Sequence, residues 1–435
     1  MGVGSAFYTG LSGLDTSGMA MGVLGDNMAN IGTTGYKSSS IFFGDVLGLS
    51  LTGVSGGNRV GAGSKTQAVD VNYTQGTFET TGSGTDVAIN GNGFFVVRNP
   101  ADGAEYYSRD GHLGIDNEGY YINSQGYRVQ GYKYGLDSVT GEYAVEETLT
   151  DLKVTPGSIN PPVATTTATM KLNLDASADI KATAWAIPPT PDMYNFSAPV
   201  TIYDSLGSSH VIQVFFTKTA GPGNNWSWNA LIDGGDVTGG TAGVPQAFGS
   251  GGTPADMTFD PATGKMTTPL GPMTFGAAGG LTFKNGSLSI ASTIDFADSV
   301  SFAAPSLLQD LNQNGFPAGS ATSVSIDEFG NLTAAYSNGT NKPLFRMALA
   351  NFKSLGGLDR KGLTLYQSSL ASGDPLYGKP GEGSLGKINP TMLETSNVDL
   401  ASEMIKMIIT QRAYQANAKV ISMVDEMMQA VQNIR

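Results

Sequence analysis

Two short glycine-rich segments have the residue spacing of sites that handle acyl or phosphate groups. Ser55 lies in a G-x-S-x-G pattern, in which a serine can act as a nucleophile. That chemistry needs a strand before the serine and a helix after it, and the surrounding glycines and serines predict neither. The run from Gly381 to Lys387 resembles a phosphate-binding loop, but Ile388 stands where a hydroxyl would bind Mg²⁺. Neither segment predicts catalysis.

Other residues that could bind a metal or transfer protons are sparse. The chain has two histidines, His112 and His210, and no cysteine. Each histidine lies among turn and strand residues without a second imidazole nearby, which predicts solvated turn residues rather than metal ligands. The carboxylates are scattered, with no pairing that suits acid–base chemistry. The sequence therefore predicts a protein that is not an enzyme and uses no cofactor.

The composition favours a β-rich, polymer-forming protein. Charged residues make up 14% of the chain, against about 25% in typical globular proteins, and 59 residues are glycine. The net charge of -13 and the absence of a basic run argue against a nucleic-acid partner. No apolar run reaches the roughly 20 residues that span a bilayer, so we expect no membrane insertion. The first residues lack the pattern of a cleavable signal peptide, which leaves the cytoplasm or signal-independent export.

The elements that would position any site are two terminal helices on either side of a long β-rich middle. In the first helix, expected over Ser5 to Ile31, apolar residues recur every seven residues at Phe7, Leu14, Met21 and Met28, and Leu11, Leu24 and Ile31 fill in beside them. In the last helix the seven-residue repeat is Leu400, Met407, Tyr414, Ile421 and Met428, with Met404 and Ala418 between them. Heptad seams require partner helices, so we expect these helices to form a coiled coil with each other and with neighbouring copies.

The two helices differ in intrinsic stability. The first contains five glycines, and each costs about 1 kcal/mol relative to alanine, so we expect this segment to become helical only when packed. The simpler alternative is an ordinary surface helix weakened by glycine. The last helix is preceded by Ser396 and Asp399 in an S-x-x-D capping pattern and contains no proline or glycine. Its length predicts a rod of roughly 55–60 Å.

The middle of the chain predicts nested all-β domains connected to the helices by extended legs. The expected parts are terminal helices at 1–32 with 395–435, legs at 33–70 with 368–394, a first β domain at 71–153 with 316–367, and an inserted outer β domain at 154–315. The leg at 33–70 is interpreted as largely irregular with short strands. Asn90-Gly91 predicts a hairpin, because both residues tolerate positive φ. The fold class is therefore mainly β with α-helical termini.

Alternation of apolar residues is clearest in the outer β domain. A turn is expected from Asp204 to Gly207, between two strands with period-two patterning. The residues expected to point to one side are Val200, Ile202, Ile212, Val214, Phe216, Trp226, Trp228, Ala230 and Ile232. The Gly- and Thr-rich part at about 234–300 gives no comparable pattern.

Both helix borders carry recognisable motifs. At the end of the first helix these residues are Ala29, Asn30, Thr33, Gly35, Tyr36 and Lys37. Around the start of the last helix they are Ser396, Asn397, Val398 and Asp399, followed by Gln411 and Arg412. They resemble the A-N-x-x-T-x-G-Y-K and C-terminal motifs of the flagellar rod, hook and hook-associated axial proteins. The segment from Gly91 to Gly111 is similar to the first β domain of that family.

Within this family, the inserted segment from Tyr203 to Phe216 is similar to the members that build the hook, whereas distal rod members are much shorter. The resemblance implies a curved tubular homopolymer that serves as a flexible joint between rod and filament. It also implies export through the flagellar type III apparatus without a cleaved signal, and a location outside the cell. The implied partners are other copies of the chain, the distal rod protein, the hook cap, the hook–filament junction protein and the export apparatus.

Two alternatives remain open from the sequence. The chain could be another flagellar axial protein, either distal rod or hook-associated. Less consistent with the motifs is a secreted β-rich adhesin with a trimeric coiled-coil stalk. Electron microscopy separates these classes, because the hook reading predicts curved tubes and the adhesin reading predicts discrete particles.

Overall fold

The computed structural model describes residues 3–50, 59–136, 143–155, 157–220, 224–248, 255–269, 271–275, 282–288 and 292–433. Two long helices lie at the ends, α1 (Val3–Ala29) and α2 (Leu400–Asn433), and the regular structure between them is almost entirely strand. This confirms the predicted mainly β fold with helical termini.

The strands are short, apart from a few in each half of the chain. In chain order they are β1 (Ser39–Ser50), β2 (Arg59–Val71), β3 (Phe78–Thr80), β4 (Val87–Asn90), β5 (Phe94–Arg98), β6 (Glu105–Ser108), β7 (Leu113–Ile115), β8 (Tyr121–Asn123), β9 (Arg128–Leu136), β10 (Tyr143–Asp151), β11 (Ile159–Asn160), β12 (Thr167–Asn173), β13 (Phe196–Tyr203), β14 (Ser209–Thr219), β15 (Asn224–Asp233), β16 (Pro245–Ala247), β17 (Ala255–Phe259), β18 (Met266–Thr268), β19 (Met273–Phe275), β20 (Ser292–Asp295), β21 (Leu307–Gln313), β22 (Gly319–Ile326), β23 (Asn331–Tyr336), β24 (Asn341–Met347), β25 (Leu349–Asn351), β26 (Asp359–Gly362), β27 (Leu365–Gln367), β28 (Leu376–Gly378), β29 (Lys387–Pro390) and β30 (Met392–Glu394). A 3₁₀ turn spans Leu355–Gly357.

The chain divides into two compact units. Unit 1 consists of Met1–Pro156, Ser323–Ala335 and Asn341–Arg435, and unit 2 of Gly157–Thr322 and Tyr336–Thr340. Unit 2 is thus inserted into the sequence of unit 1, which agrees with the predicted nesting of two β domains. The finer division into helices, legs and a first β domain falls inside unit 1, and its predicted boundaries stay predictions.

The β body of unit 1 is a sheet whose central strands are buried on both faces. Its main path has the strand order β23–β24–β9–β5–β6–β27–β26. Along β5, Phe95 and Val97 pack into one apolar cluster, while Phe94 and Val96 pack into another. Because successive side chains of a strand point to opposite faces, the two clusters lie on the two sides of the sheet.

The segment after α1 forms a long antiparallel hairpin, so the prediction of a largely irregular leg was wrong. β1 pairs with β2 from Ser39 opposite Val71 to Ser50 opposite Arg59, with three shifts of register. The ladder hydrogen bonds of a sheet come from the backbone. Glycine- and serine-rich strands can therefore pair without the apolar alternation that a sequence pattern detects, and bulges absorb their irregular spacing.

The hairpin predicted at Asn90-Gly91 was also wrong. β4 pairs with β29, whereas β5 pairs with β6, β9 and β25. Gly91 has a φ of +111°, and a Cβ there would lie 3.0 Å from the Cα of Gly386. The Asn-Gly signal correctly indicates positive φ, but a strand distant in sequence supplies the pairing.

Unit 2 contains two sheets around one apolar core. One sheet has the order β13–β14–β15–β17–β18, with β16 on β15, and the other has the order β19–β20–β12–β21. Met170 and Leu172 from the second sheet share a buried cluster with Ile212 and Trp226 from the first. All nine residues predicted to face one side belong to this cluster, which confirms the alternation.

The sequence pattern predicts that Ser396 and Asp399 together cap α2, but in the structure only Asp399 does so. Asp399 occupies the capping position, and its Oδ1 accepts hydrogen bonds from the backbone N–H groups of Ala401 at 3.0 Å and Ser402 at 3.5 Å. Ser396 lies outside the helix, where its Oγ accepts from the N–H of Val398 at 3.3 Å. A carboxylate at this position also interacts favourably with the positive end of the helix dipole.

Candidate assembly site

α1 and α2 pack against each other as an antiparallel pair. Near the start of α1, a Cβ on Gly10 would lie 3.2 Å from Ile421, and one on Gly13 would lie 2.6 Å from Asn417. At the other end, Asn27 donates a hydrogen bond to Glu403 at 3.1 Å. The absence of side chains at two of the α1 glycines therefore permits the close approach of the two helices.

The contact between the helices is more polar than a heptad seam. Its buried polar residues include Ser17, Asn27 and Glu403, beside the buried apolar residues Ala20, Leu24 and Val424. The hydroxyl of buried Thr16 instead lies 3.2 Å from that of Ser64 on β2. Asn27 is almost fully buried and uses its whole amide, because it also donates to the carbonyl of Ser39 and accepts from the N–H of Ser39, each at 2.8 Å. Buried polar groups with matched partners fix the register of a helix pair.

The predicted seam residues are divided between inside and outside. Leu24 is buried, and the half-buried ones are Leu14, Met21, Met28, Met407, Ala418 and Ile421. The exposed ones are Phe7, Leu11, Ile31, Leu400, Met404, Tyr414 and Met428. On α2, the residues that contact α1 or are buried include Glu403, Asn417 and Val424, a heptad line three residues after the predicted one. The structure of one chain therefore does not bring the whole predicted seam together, and its part in self-assembly stays a prediction.

Both helices expose large apolar side chains on the sides that face away from each other. On α1, Tyr8 is 70% exposed, beside exposed Leu11 and Met19. On α2, Ile405 and Ile408 are 60% and 51% exposed. Monomeric soluble proteins rarely leave contiguous apolar surfaces of this kind open, so the faces are candidate contacts with other copies.

A buried ionic cluster joins the start of the β body to the chain that leads into α2. The Glu394 carboxylate lies 2.6 Å from the Lys37 ammonium and 3.3 Å from the Arg109 guanidinium, and it accepts the N–H of Gly76 at 2.9 Å. The Lys37 ammonium also donates to the carbonyl of Thr74 at 2.8 Å. Burial lowers the pKa of Lys37 and of Arg109, and the Glu394 charge opposes both shifts. The cluster is thus a costly desolvated arrangement held by its mutual pairing.

The two motif segments meet at this cluster. Gly35 has a φ of +67° and donates its N–H to the carbonyl of Glu394 at 2.8 Å. Asn397 accepts from the N–H of Ser38 at 2.8 Å and donates to the carbonyl of Asn72 at 2.8 Å. These hydrogen bonds therefore join the segment that follows α1 to the segment that precedes α2.

The remaining motif residues support this junction or lie elsewhere. The Tyr36 hydroxyl donates to Asp26 at 3.0 Å, and the Thr33 hydroxyl donates to Asn30 at 3.1 Å. Ala29 ends α1 and Val398 is buried before α2. Gln411 and Arg412 lie on the exposed surface of α2 and take no part in the junction.

Sequence reasoning missed the residues at the centre of the junction. Glu394 and Asn27 carry no prediction, and Arg109 enters only as part of the segment similar to the family's first β domain. Glu394 ends a short strand whose other residues are apolar. A carboxylate or an amide among apolar positions is a usable signal, because such a group needs a buried partner. Its partners could not be identified, since Lys37 and Glu394 are far apart in the chain.

The segments with enzyme-like spacing do not form a site in the described residues. Ser55 lies outside the part of the chain that the structure describes. Lys387 begins strand β29, where a phosphate loop would have a helix, and its ammonium lies 3.1 Å from Glu328.

The two histidines have different environments. His112 is largely exposed and its Nδ1 lies 2.9 Å from Asp86, as expected for a turn residue. The prediction of a solvated turn residue was wrong for His210, which is buried on β14 and stacks on Phe283 with ring centroids 4.0 Å apart. Its Nε2 lies 3.1 Å from Asp204. This histidine is a packed structural residue of unit 2.

No helix in the described part of the chain is both long and apolar enough to cross a membrane.

Three family descriptions match successive parts of the chain. "Flagellar hook protein FlgE/F/G D1 domain" matches residues 88–169, "Flagellar basal body protein FlaE D2 domain" matches 173–316, and "Flagellar basal body rod FlgEFG protein C-terminal" matches 389–434. The first two matches fall largely on the β body of unit 1 and on unit 2, and the third covers the end of the motif junction and α2.

Curated relatives match along nearly the whole chain. The flagellar hook protein FlgE of Escherichia coli (strain K12) is 30% identical over 433 residues, which cover 99% of this chain and 100% of that protein. The FlgE hook protein of Borreliella burgdorferi is 29% identical over 458 residues, with 99% of each chain covered.

A solved structure supports the fold. The crystal structure of Helicobacter pylori flagellar hook protein FlgE2 superposes with a TM-score of 0.52 at 18% identity, and covers 73% of this chain and 100% of that one. Together with the full-length identity to curated hook proteins, this establishes that the chain belongs to the flagellar hook protein family.

Proposed function

We propose that the chain is a structural subunit of the bacterial flagellar hook that polymerises into a curved tube. The observation that carries the proposal is the apolar surface on the outer faces of α1 and α2, where Tyr8, Ile405 and Ile408 are each at least 51% exposed within one chain. Contact with other copies would bury these side chains, and each large aliphatic group contributes about 1.5–3 kcal/mol when fully buried.

The mechanical role follows from where rigid and adaptable parts lie. Torque would pass through packed terminal helices, in which the predicted seam residues of α1 and α2 contact those of neighbouring copies. Several of these residues are methionines, including Met21, Met404 and Met428. Methionine repacks easily because its side chain is unbranched and polarisable. Bending would let the β units slide against their neighbours by small shear movements while the helices remain packed.

The proposed surroundings of the subunit are those of its family. The main partner is another copy of the chain, and the ends of the polymer would meet the distal rod protein and the hook–filament junction protein. A hook cap would receive each subunit after passage through the flagellar type III export apparatus. The proposed location is outside the cell, and export would need no cleaved signal.

Electron microscopy of the purified full-length chain tests the proposal. Concentrated protein in a solution that promotes assembly should form curved tubes of uniform diameter. Discrete trimeric particles with a stalk would favour the adhesin alternative and would contradict the proposal. A monodisperse monomer at all concentrations would contradict it as well.

A further inference from the structure

The outer faces of the two helices carry opposite charges. The α1 stripe, which faces away from α2, consists of Tyr8, Leu11, Asp15, Met19 and Asp26. The α2 stripe, which faces away from α1, consists of Ile405, Ile408, Arg412, Lys419 and Met423. Spacings of three, four or seven residues place each set on one side of its helix. The α1 stripe is apolar and acidic. The α2 stripe is apolar and basic up to Met423, and exposed Glu426 follows on the same side.

Most of these charges have no partner within the described part of the chain. Across the described residues of α1 and α2, the one ion pair joins Lys406 and Glu403 at 2.7 Å. Asp15, Arg412 and Lys419 form none. A stripe with exposed apolar residues beside unpaired charges of one sign suits a partner with the same pattern and the opposite sign.

The internal register of the helix pair shows how two such stripes would align. Gly13 faces Asn417. The pair is antiparallel, so Asp15, two residues later on α1, lies level with Gln415, two residues earlier on α2. Arg412 and Lys419 flank that level by about 4.5 and 6 Å along the axis, at 1.5 Å per residue. An Asp15 carboxylate that lies level with Gln415 of α2 would therefore be flanked by Arg412 and Lys419.

We propose that the α1 stripe of one copy packs against the α2 stripe of a neighbouring copy, in the same antiparallel register that pairs the helices within a copy. This inference rests on the proposed function, since it names the surface through which the polymer grows. Neighbours that have the same orientation along a tube axis keep α1 of one copy antiparallel to α2 of the next. Asp15 of each copy then pairs with Arg412 and Lys419 of its neighbour.

The apolar parts of the stripes match in the same register. Counting back from Asn27, which contacts Glu403, places Gly22 level with Ile408. A Cβ added to Gly22 would meet no atom within 4 Å, so this part of α1 is open. The side chain of Ile408 from a neighbour fits opposite a residue that has none.

Charge repulsion disfavours the packing of two like stripes, and such a contact would also stop at a dimer instead of building a polymer. Two α2 stripes would bring Arg412 and Lys419 of both copies together, and two α1 stripes would do the same for Asp15, which costs free energy in each case. A contact between identical surfaces also closes into a dimer. A contact between two different surfaces of the same chain can continue without end and so builds a helical polymer.

Charge reversal in the full-length chain tests this pairing. The double variant Arg412→Glu/Lys419→Glu should raise the concentration required for tube formation about tenfold or more, because two attractive contacts become repulsive. Adding Asp15→Lys to the double variant should return that concentration most of the way to the wild-type value. Lys133→Glu/Lys353→Glu, at two exposed lysines outside the helices, changes the net charge by the same amount and should assemble as the wild type does. Sedimentation and negative-stain microscopy provide the measurement.

Two outcomes would overturn the pairing while leaving the proposed function intact. One is a double variant that forms tubes at the wild-type concentration. The other is a double variant that fails to assemble and is not restored by Asp15→Lys. Rescue by a third substitution cannot arise from misfolding, so it supports the contact directly. If the wild-type chain forms no tubes, the proposed function itself fails, and the pairing fails with it.

Discussion

At the scale of single residues, the junction of the two motif segments depends on the carboxylate of Glu394. Glu394 is the shared partner of Lys37 and Arg109, and all three side chains are at least 94% buried. An exchange of such a group for hydrophobic residues of the same size can be neutral, but removal of one member leaves a buried charge without a counter-ion. The cluster therefore specifies how the chain ends meet more than it adds net stability.

Glu394→Gln should lower the free energy of unfolding of unit 1 by about 3–5 kcal/mol, because two buried cations lose their counter-charge. Urea unfolding followed by far-UV circular dichroism measures this change. All three tryptophans of the chain lie in unit 2, so the fluorescence transition of unit 2 should stay unchanged. The matched control Glu328→Gln breaks an exposed pair with Lys387 and should cost at most about 1 kcal/mol. Equal effects of the two substitutions would contradict the account.

Asp204 gives unit 2 a defined acid sensitivity. Burial of this carboxylate opposes its ionisation, but hydrogen bonds from Asn285, His210 and the backbone N–H groups of Ser208 and Leu206 outweigh burial and lower the pKa of Asp204 to about 2. The ordinary pKa of an aspartate in an unfolded chain is about 3.9. Because the folded-state pKa is the lower one, the stabilisation is complete above about pH 4 and is lost as the pH falls to about 2.

Asp204→Asn should therefore destabilise unit 2 at neutral pH, and the difference from the wild type should shrink between pH 4 and pH 2. Tryptophan fluorescence during urea unfolding at a series of pH values measures it. Asp298→Asn, which removes an exposed partner of Lys171, is the control and should change stability much less. A difference between wild type and Asp204→Asn that stays constant down to pH 2 would show that the carboxylate charge is not involved.

At the scale of elements, the helices and the motif loops are held by backbone geometry that few residues allow. Gly35 joins α1 to β1 with a φ of +67°, and a Cβ there would lie 2.6 Å from backbone atoms of Arg109 and Asp110. Backbone atoms cannot rotate away as a side chain can. The glycine of the motif is therefore required by a close approach as well as by its conformation.

Gly35→Ala should lower the free energy of unfolding of unit 1 by several kcal/mol, since it adds a backbone clash to the cost of a left-handed conformation. Gly103→Ala separates the two effects, because Gly103 has a φ of +73° with open space around it. That control should lose only about 1 kcal/mol. Thermal and urea unfolding of both variants provide the comparison, and equal losses would rule out the clash.

Much of the element structure could be predicted from the sequence because local pattern and final packing agree there. The heptad spacing identified both helices, and period-two alternation identified the inner face of β13, β14 and β15. The predictions failed where the pairing of a strand depends on segments that are distant in sequence or on backbone hydrogen bonds alone. The partner of β4 is β29, and the pairing of β1 with β2 relies on backbone hydrogen bonds rather than on side-chain pattern.

The candidate site was predictable to a similar degree. The motif residues mark the two helix borders that the junction joins, but no contact between them was predicted. The roles of Glu394 and Asn27 depend on partners that only folding brings together. The heptads identified helices that need partners but could not assign each position to the chain itself or to a neighbour. The contact inside one chain includes the polar residues Asn27 and Glu403, which a search for apolar seams passes over.

At the scale of the whole molecule, the inner and outer sides of the terminal helices have different roles. The inner sides of α1 and α2 recognise each other through polar contacts, and their outer sides keep apolar residues for other copies. The β units have their own buried cores and do not need the helices for their packing. Assembly should therefore depend on the helices, while folding of the β units should not.

The most direct test of the central claim is removal of α2. A chain that ends at Asn397 lacks Val398 to Arg435 but keeps Glu394 and the motif contacts of Asn397. We predict that circular dichroism and tryptophan fluorescence will show folded β units, and that electron microscopy and sedimentation will show no tubes under conditions in which the full-length chain forms them. Tubes of normal diameter from the shortened chain would contradict the claim that the terminal helices build the polymer.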